Sequence, residues 1–122
     1  MKNLQKTADS IYAYCIMAMD YDMMGLRFNE SSLLSAFTES RYNLQRLTEA
    51  EFSTLKRLLE TKVLELYERN KVIADQEVSE DAVVKKMRQD DAKQEMAEAE
   101  KFLNYLNNKL TFDIVKSMVE GV

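Results

Sequence analysis

Histidine, proline and tryptophan are absent from the 122 residues, which also hold only two glycines and one cysteine. Without Pro, and with Gly only at positions 25 and 121, the chain has few helix breakers and little turn chemistry, which excludes sheet folds built from many tight turns. The missing histidine removes Ser-His and Cys-His nucleophile activation, His-ligated metal centres and the Glu-x-x-His di-iron sites of helical bundles. Two isolated glycines cannot form a Gly-rich phosphate loop, so Walker-type and dinucleotide-binding motifs are also excluded. Cys15 has no second cysteine to pair with and lies in an apolar run, where it reads as a small buried hydrophobe.

Long apolar runs are lacking too. The longest, residues 11–19, has nine residues, about half of what a bilayer span requires. Lys2 and Lys6 precede it as in a signal peptide, but Asp20 and Asp22 follow without a small-residue cleavage pattern. The expectation is a cytoplasmic protein with no membrane segment.

The formal charge of −4 argues against a protein built to clamp nucleic-acid phosphates, a task that needs a basic surface. The densest basic run, Lys85, Lys86, Arg88 and Lys93, is balanced at helical spacing by Asp81 and Asp90, as on a solvated helix face. Direct nucleic-acid binding is therefore not expected. The segment 47–55 resembles the opening helix of winged-helix regulators in its capping chemistry, but no Gly-bearing turn, second capped helix or β-ribbon pattern follows.

What is present is helical. With 46% apolar and 31% charged residues, the sequence specifies an all-α fold: a single domain over residues 1–122, a small bundle built around two long helices with shorter N-terminal and C-terminal helices. In residues 3–24, Leu4, Ala8, Ile11, Cys15, Met19 and Met23 recur every three or four residues, one face of a helix. Tyr12, Ala13, Tyr14, Ile16, Met17 and Ala18 make its middle apolar nearly all round, so it needs a second neighbour. Gly25 suits its end.

Asn29 or Ser31 can cap a short helix carrying Leu33, Leu34, Ala36 and Phe37. Thr48 and Glu51 then form a capping box that opens a long helix with a stripe of Phe52, Leu55, Leu59, Val63, Leu66 and Ile73, Asn70 filling the gap in it. The later stripe Met96, Ala99, Leu103, Leu106, Leu110 falls in a different heptad phase. A turn near residues 75–79, with Ser79 as cap, would fold the two stripes into an antiparallel hairpin; a continuous helix facing two partners is the alternative. Thr111 can cap a last short helix with Phe112, Val115, Met118 and Val119 on its apolar side, or the long helix runs on to Glu120.

Glu60, Glu65 and Glu68 with Asp90, Asp91 and Glu95 could face one another across such a hairpin, as the carboxylates of helical nucleotide pyrophosphohydrolases do around Mg²⁺. The E-x-x-E plus E-x-x-D pattern of that family is not matched, and a solvated charge face accounts for the cluster. No metal, cofactor, small-molecule substrate or catalytic residue is expected.

The functional expectation is a non-catalytic, regulatory helical protein that presents apolar faces to a protein partner or to itself, as a homo-oligomer and in the first instance a dimer. The candidate partner-binding residues are Tyr14, Met17, Tyr21 and Met24, where adaptable Met and rigid Tyr side chains cluster. To these are added Met96, Ala99, Leu103, Leu106 and Leu110, whose 3, 4, 3, 4 spacing is an a/d seam. On this reading Leu103→Asp or Leu106→Asp dissociates an oligomer and leaves the helices intact. The alternative is an inhibitor or small helical subunit, of the kind phages and mobile elements encode, acting on a nucleic-acid-processing complex.

Overall fold

A computed structural model describes the backbone of residues 3–17, 26–75 and 82–120, and the side chains of residues 3–15, 26–75 and 89–120. Among the described residues are five α-helices, one 3-10 helix and no strand: α1 (Leu4–Met17), α2 (Glu30–Glu39), the 3-10 helix (Arg41–Leu44), α3 (Glu49–Asp75), α4 (Ala82–Asn108) and α5 (Phe112–Glu120).

The helix starts follow from local capping. The Asn29 side chain accepts from the Ser31 and Ser32 amides, so Asn29 rather than Ser31 caps α2. At the start of α3, Thr48 Oγ1 accepts from the Glu51 amide at 3.1 Å while the Glu51 carboxylate accepts from the Thr48 amide at 3.0 Å, the reciprocal capping box. Thr48→Ala is expected to cost about 1 kcal/mol, read in a thermal melt as a Tm lowered by about 4 °C. Thr111 Oγ1 accepts from the Ile114 amide, which starts α5 as a separate helix rather than an extension of α4.

α3 and α4, 27 residues each, are on the order of 40 Å long and pack against each other. They run antiparallel: Gln89 on α4 donates to the Ala74 carbonyl on α3 at 3.2 Å, and Tyr67 nearer the start of α3 donates to Glu100 further along α4. The chain therefore reverses between Asp75 and Ala82, and the continuous-helix alternative is excluded; the turn itself and its Ser79 cap lie outside the described residues, as does Gly25. Phe52 meets Phe112 edge-on at 5.9 Å, so α5 closes the open end of the hairpin.

α1 packs against both α2 and α3, and α2 against α5. The core gathers Ala8, Ile11 and Cys15 of α1, Leu33 and Phe37 of α2, Leu55, Leu59 and Val63 of α3, Phe102 and Leu106 of α4, and Val115 of α5. Asn70 is buried on the α3 stripe and donates its amide to the Leu66 carbonyl one turn back, which makes a polar side chain tolerable there.

Residues 26–29 form an extended strap across α4. The Leu26 amide donates to Glu95 at 3.1 Å and the Phe28 amide to Glu98 at 2.8 Å, so alternate amides of the strap meet carboxylates one helical turn apart. Phe28 packs its ring against Phe102 and Tyr105, 5.2 and 5.3 Å between centroids, and the Tyr105 hydroxyl donates to Glu30.

Candidate interaction surface

The residues that the sequence offers as a partner surface divide in the fold. Ala99, Leu106 and Leu110 are buried inside the chain's own core, and Leu103 is half-buried against it; Met96 is also half-buried. The seam 96–110 is thus occupied largely from within: α3 covers one side, and on the other Phe28 of the strap packs on Phe102 and Tyr105, whose hydroxyl donates to Glu30 at the start of α2. Leu103→Asp and Leu106→Asp accordingly touch the core rather than a free face. Tyr14 is 40% exposed on α1. The side chain of Met17, and Tyr21 and Met24 altogether, lie outside the described residues.

The second neighbour that α1 requires is supplied within the chain, since α2 and α3 both contact it. On the α3 side, Lys62 bridges the two helices: its ammonium lies 2.7 Å from Asp9 and 5.5 Å from the centre of the Tyr12 ring. The Lys62 hydrogen bond, with help from Gln5, holds the Asp9 carboxyl below its ordinary pKa. Burial raises the Tyr12 phenol, opposed by Arg69 and reinforced by Glu95, Cys15 and Glu65. The Tyr12 hydroxyl is buried and has no hydrogen-bond partner among the described residues.

Two apolar side chains absent from the sequence-derived set stand out on α3. Leu64 is 47% and Val72 63% exposed, both off the buried stripe. Eight residues apart, they lie on the same outer side of α3, about 12 Å from each other along the axis and about 80° apart around it. Between and beside them Thr61, Glu65, Glu68 and Arg69 border, with Leu64, an open groove of about 600 Å³. The signal was available: large aliphatic residues two helical turns apart that fail to fit the 52, 55, 59, 63 register must point elsewhere.

A second concavity, of about 500 Å³, lies between the start of α1 and the 3-10 helix, bordered by Asn3, Lys6, Ser10, Tyr42, Asn43 and Gln45. Tyr42 is 71% exposed, and its ring is held under the Arg41 guanidinium, 4.7 Å away. Arg46 then takes a left-handed backbone conformation, φ 58°, that swings the chain from the 3-10 helix toward α3.

Of the acidic cluster, Glu95 is engaged by the strap, and Glu65, Glu68, Asp90 and Asp91 are exposed. Among the described residues no group of three or more carboxylates or thiols is placed to share a metal ion, and no helix is long and apolar enough to cross a membrane. No protein-family model matches this chain, and comparison with curated proteins and with solved structures finds no similar protein.

Proposed function

We propose that this chain is a non-catalytic, cytoplasmic interaction protein that uses the outer face of α3 to pair with a second copy of itself. The observation that carries the reading is the exposed pair Leu64 and Val72 beside the groove, with Glu68 and Arg69 between them. A twofold axis crossing α3 at Glu68, midway between the two aliphatic residues, sets each Leu64 beside the Val72 of the second copy, as an isologous contact requires, with the two Glu68 carboxylates at the axis and Arg69 flanking them.

The magnitudes favour a weak dimer. Leu64 and Val72 are 47% and 63% exposed, so covering the four side chains contributes only roughly 3–7 kcal/mol at about 1.5–3 kcal/mol for a full side chain, against an association cost of about 4–15 kcal/mol. Light scattering at a chain concentration on the order of 100 µM is expected to give about twice the 14.2 kDa chain mass. Leu64→Asp combined with Val72→Asp, both on exposed positions, is expected to return one chain mass with unchanged helical circular dichroism. A wild-type chain that stays at single mass under these conditions rejects the reading.

A further inference from the structure

We propose that the cleft between the start of α1 and the 3-10 helix is a binding site for carboxylate groups, of the kind an acidic peptide segment presents. This site is separate from the α3 face and does not depend on the pairing read there.

The cleft is polar and built from two elements. Asn3, Lys6 and Ser10 share one side of α1 because they recur every three or four residues, and the 3-10 helix and the residue after it set Tyr42, Asn43 and Gln45 opposite. Its volume of about 500 Å³ is that of a small-ligand site. None of the bordering residues is acidic, although the chain as a whole is negative. Part of the polar inventory is already committed: Asn3 accepts from the Lys6 amide, and the Thr7 hydroxyl donates to the Asn3 carbonyl. The rest is not. Among the described residues nothing pairs with the Lys6 ammonium, the Ser10 hydroxyl or the side-chain amides of Asn43 and Gln45.

The donor set decides the ligand. Lys6 is the one cation among the described residues bordering the cleft, and the nearby Arg41 guanidinium, which donates to the Thr38 carbonyl at 3.0 Å and to Tyr42, keeps its positive charge, so the cleft favours anions. The two side-chain amides carry both donors and acceptors, as a peptide backbone does, and can pair with its N–H and C=O groups. Tyr42 is held in place by Arg41, so its exposed ring is a fixed platform whose hydroxyl still has its own proton to donate. Tyr14 lies four residues beyond Ser10 on the same side of α1, about 6 Å further along the axis, and extends the surface with a second exposed ring.

The test is a two-dimensional ¹⁵N–¹H NMR titration of the full chain with three probes: a tetraglutamate peptide, glutarate and a tetralysine peptide. Shifts confined to residues 3–14 and 41–46 with tetraglutamate, and none with tetralysine, are expected. Lys6→Glu is expected to weaken tetraglutamate binding about 10-fold or more, with a smaller loss for Tyr42→Ala. Both residues are exposed, and an unchanged circular dichroism spectrum verifies the fold of each variant. Glutarate binding as well as the peptide assigns the site to free carboxylates, and peptide binding alone assigns it to acidic segments; either supports carboxylate recognition. Shifts scattered over the surface, no saturable shift, or equal affinity after Lys6→Glu overturns the proposal.

Discussion

Leu106→Asp is expected to unfold the chain. Leu106 is fully buried where α4 meets the rest of the core, so the substitution removes a packed side chain and puts a carboxylate in its place. Truncating a buried leucine to alanine costs about 2–5 kcal/mol, and an unpaired buried charge adds several more. A domain of this length has a total stability of roughly 6–18 kcal/mol at typical values per residue. The aspartate variant therefore loses most of its helical circular dichroism at 25 °C. Leu106→Ala remains folded, with Tm lowered by about 12 °C for a 3 kcal/mol loss. Leu103→Asp is the control: Leu103 is half-buried, its carboxylate can reach water, and the variant stays folded with a smaller loss. A Leu106→Asp chain that melts within a few degrees of wild type would show that this face of α4 is not core.

The thiol of Cys15 supplies the second large effect. Burial in the α1 face pushes its pKa up to about 12. At pH 8 an ordinary thiol is about one-quarter ionised, whereas a group with pKa near 12 is ionised about once in 10⁴ molecules. Disulfide-exchange labelling is therefore expected to be about 10²-fold or more slower in the native chain than in guanidinium, since the greater nucleophilicity of a high-pKa thiolate offsets part of its scarcity, and to accelerate only with unfolding. Native labelling within tenfold of the denatured rate would contradict the burial of α1 against α2 and α3.

The same shift has a consequence for stability against pH. A raised folded-state pKa gives a contribution that is whole below the unfolded value and lost as pH climbs toward the folded one. Cys15 therefore loses its contribution between about pH 8.5 and about pH 12. Tyr12 and Tyr105 act in the same direction, each raised first by burial, and Tyr105 further by Glu30. Asp9 is shifted the other way, so its small, solvent-screened contribution disappears as pH falls through the acid range. With no histidine to titrate between these limits, Tm is expected to be flat from about pH 6 to 8, to begin falling above about pH 8.5 as Cys15 loses its contribution, and to fall further above about pH 10 as the tyrosines do.

Much of the fold was legible because it depends on short-range chemistry. Thr48 and Glu51 lie three residues apart and cap the same turn, and the α3 stripe from Phe52 to Val63 is buried as its spacing implies. The short 3-10 helix was not legible. Its backbone turns on the Ser40 carbonyl, which accepts from the Asn43 amide, within a polar stretch that has no period to read. The candidate surface was legible only in part, for a physical reason. An apolar stripe states that a face must leave water, not whether the cover comes from the same chain. Ala99, Leu106 and Leu110 obey an a/d spacing, yet Phe102 and Tyr105 are buried as well. α4 thus hides the wider face of a helix with neighbours on two sides. Those neighbours include the strap, which comes from about 70 residues earlier in the chain and which no periodicity announces.

That strap also bears on how the protein is made. The amides of Leu26 and Phe28 find their acceptors only at Glu95 and Glu98, so the strap of a growing polypeptide has nowhere to dock until nearly four-fifths of the chain has been synthesised. Contacts of such long sequence separation slow folding and place this step late. In translation, α1 can therefore settle on α2 and α3 first, and the strap closes over α4 only when that last long helix has emerged.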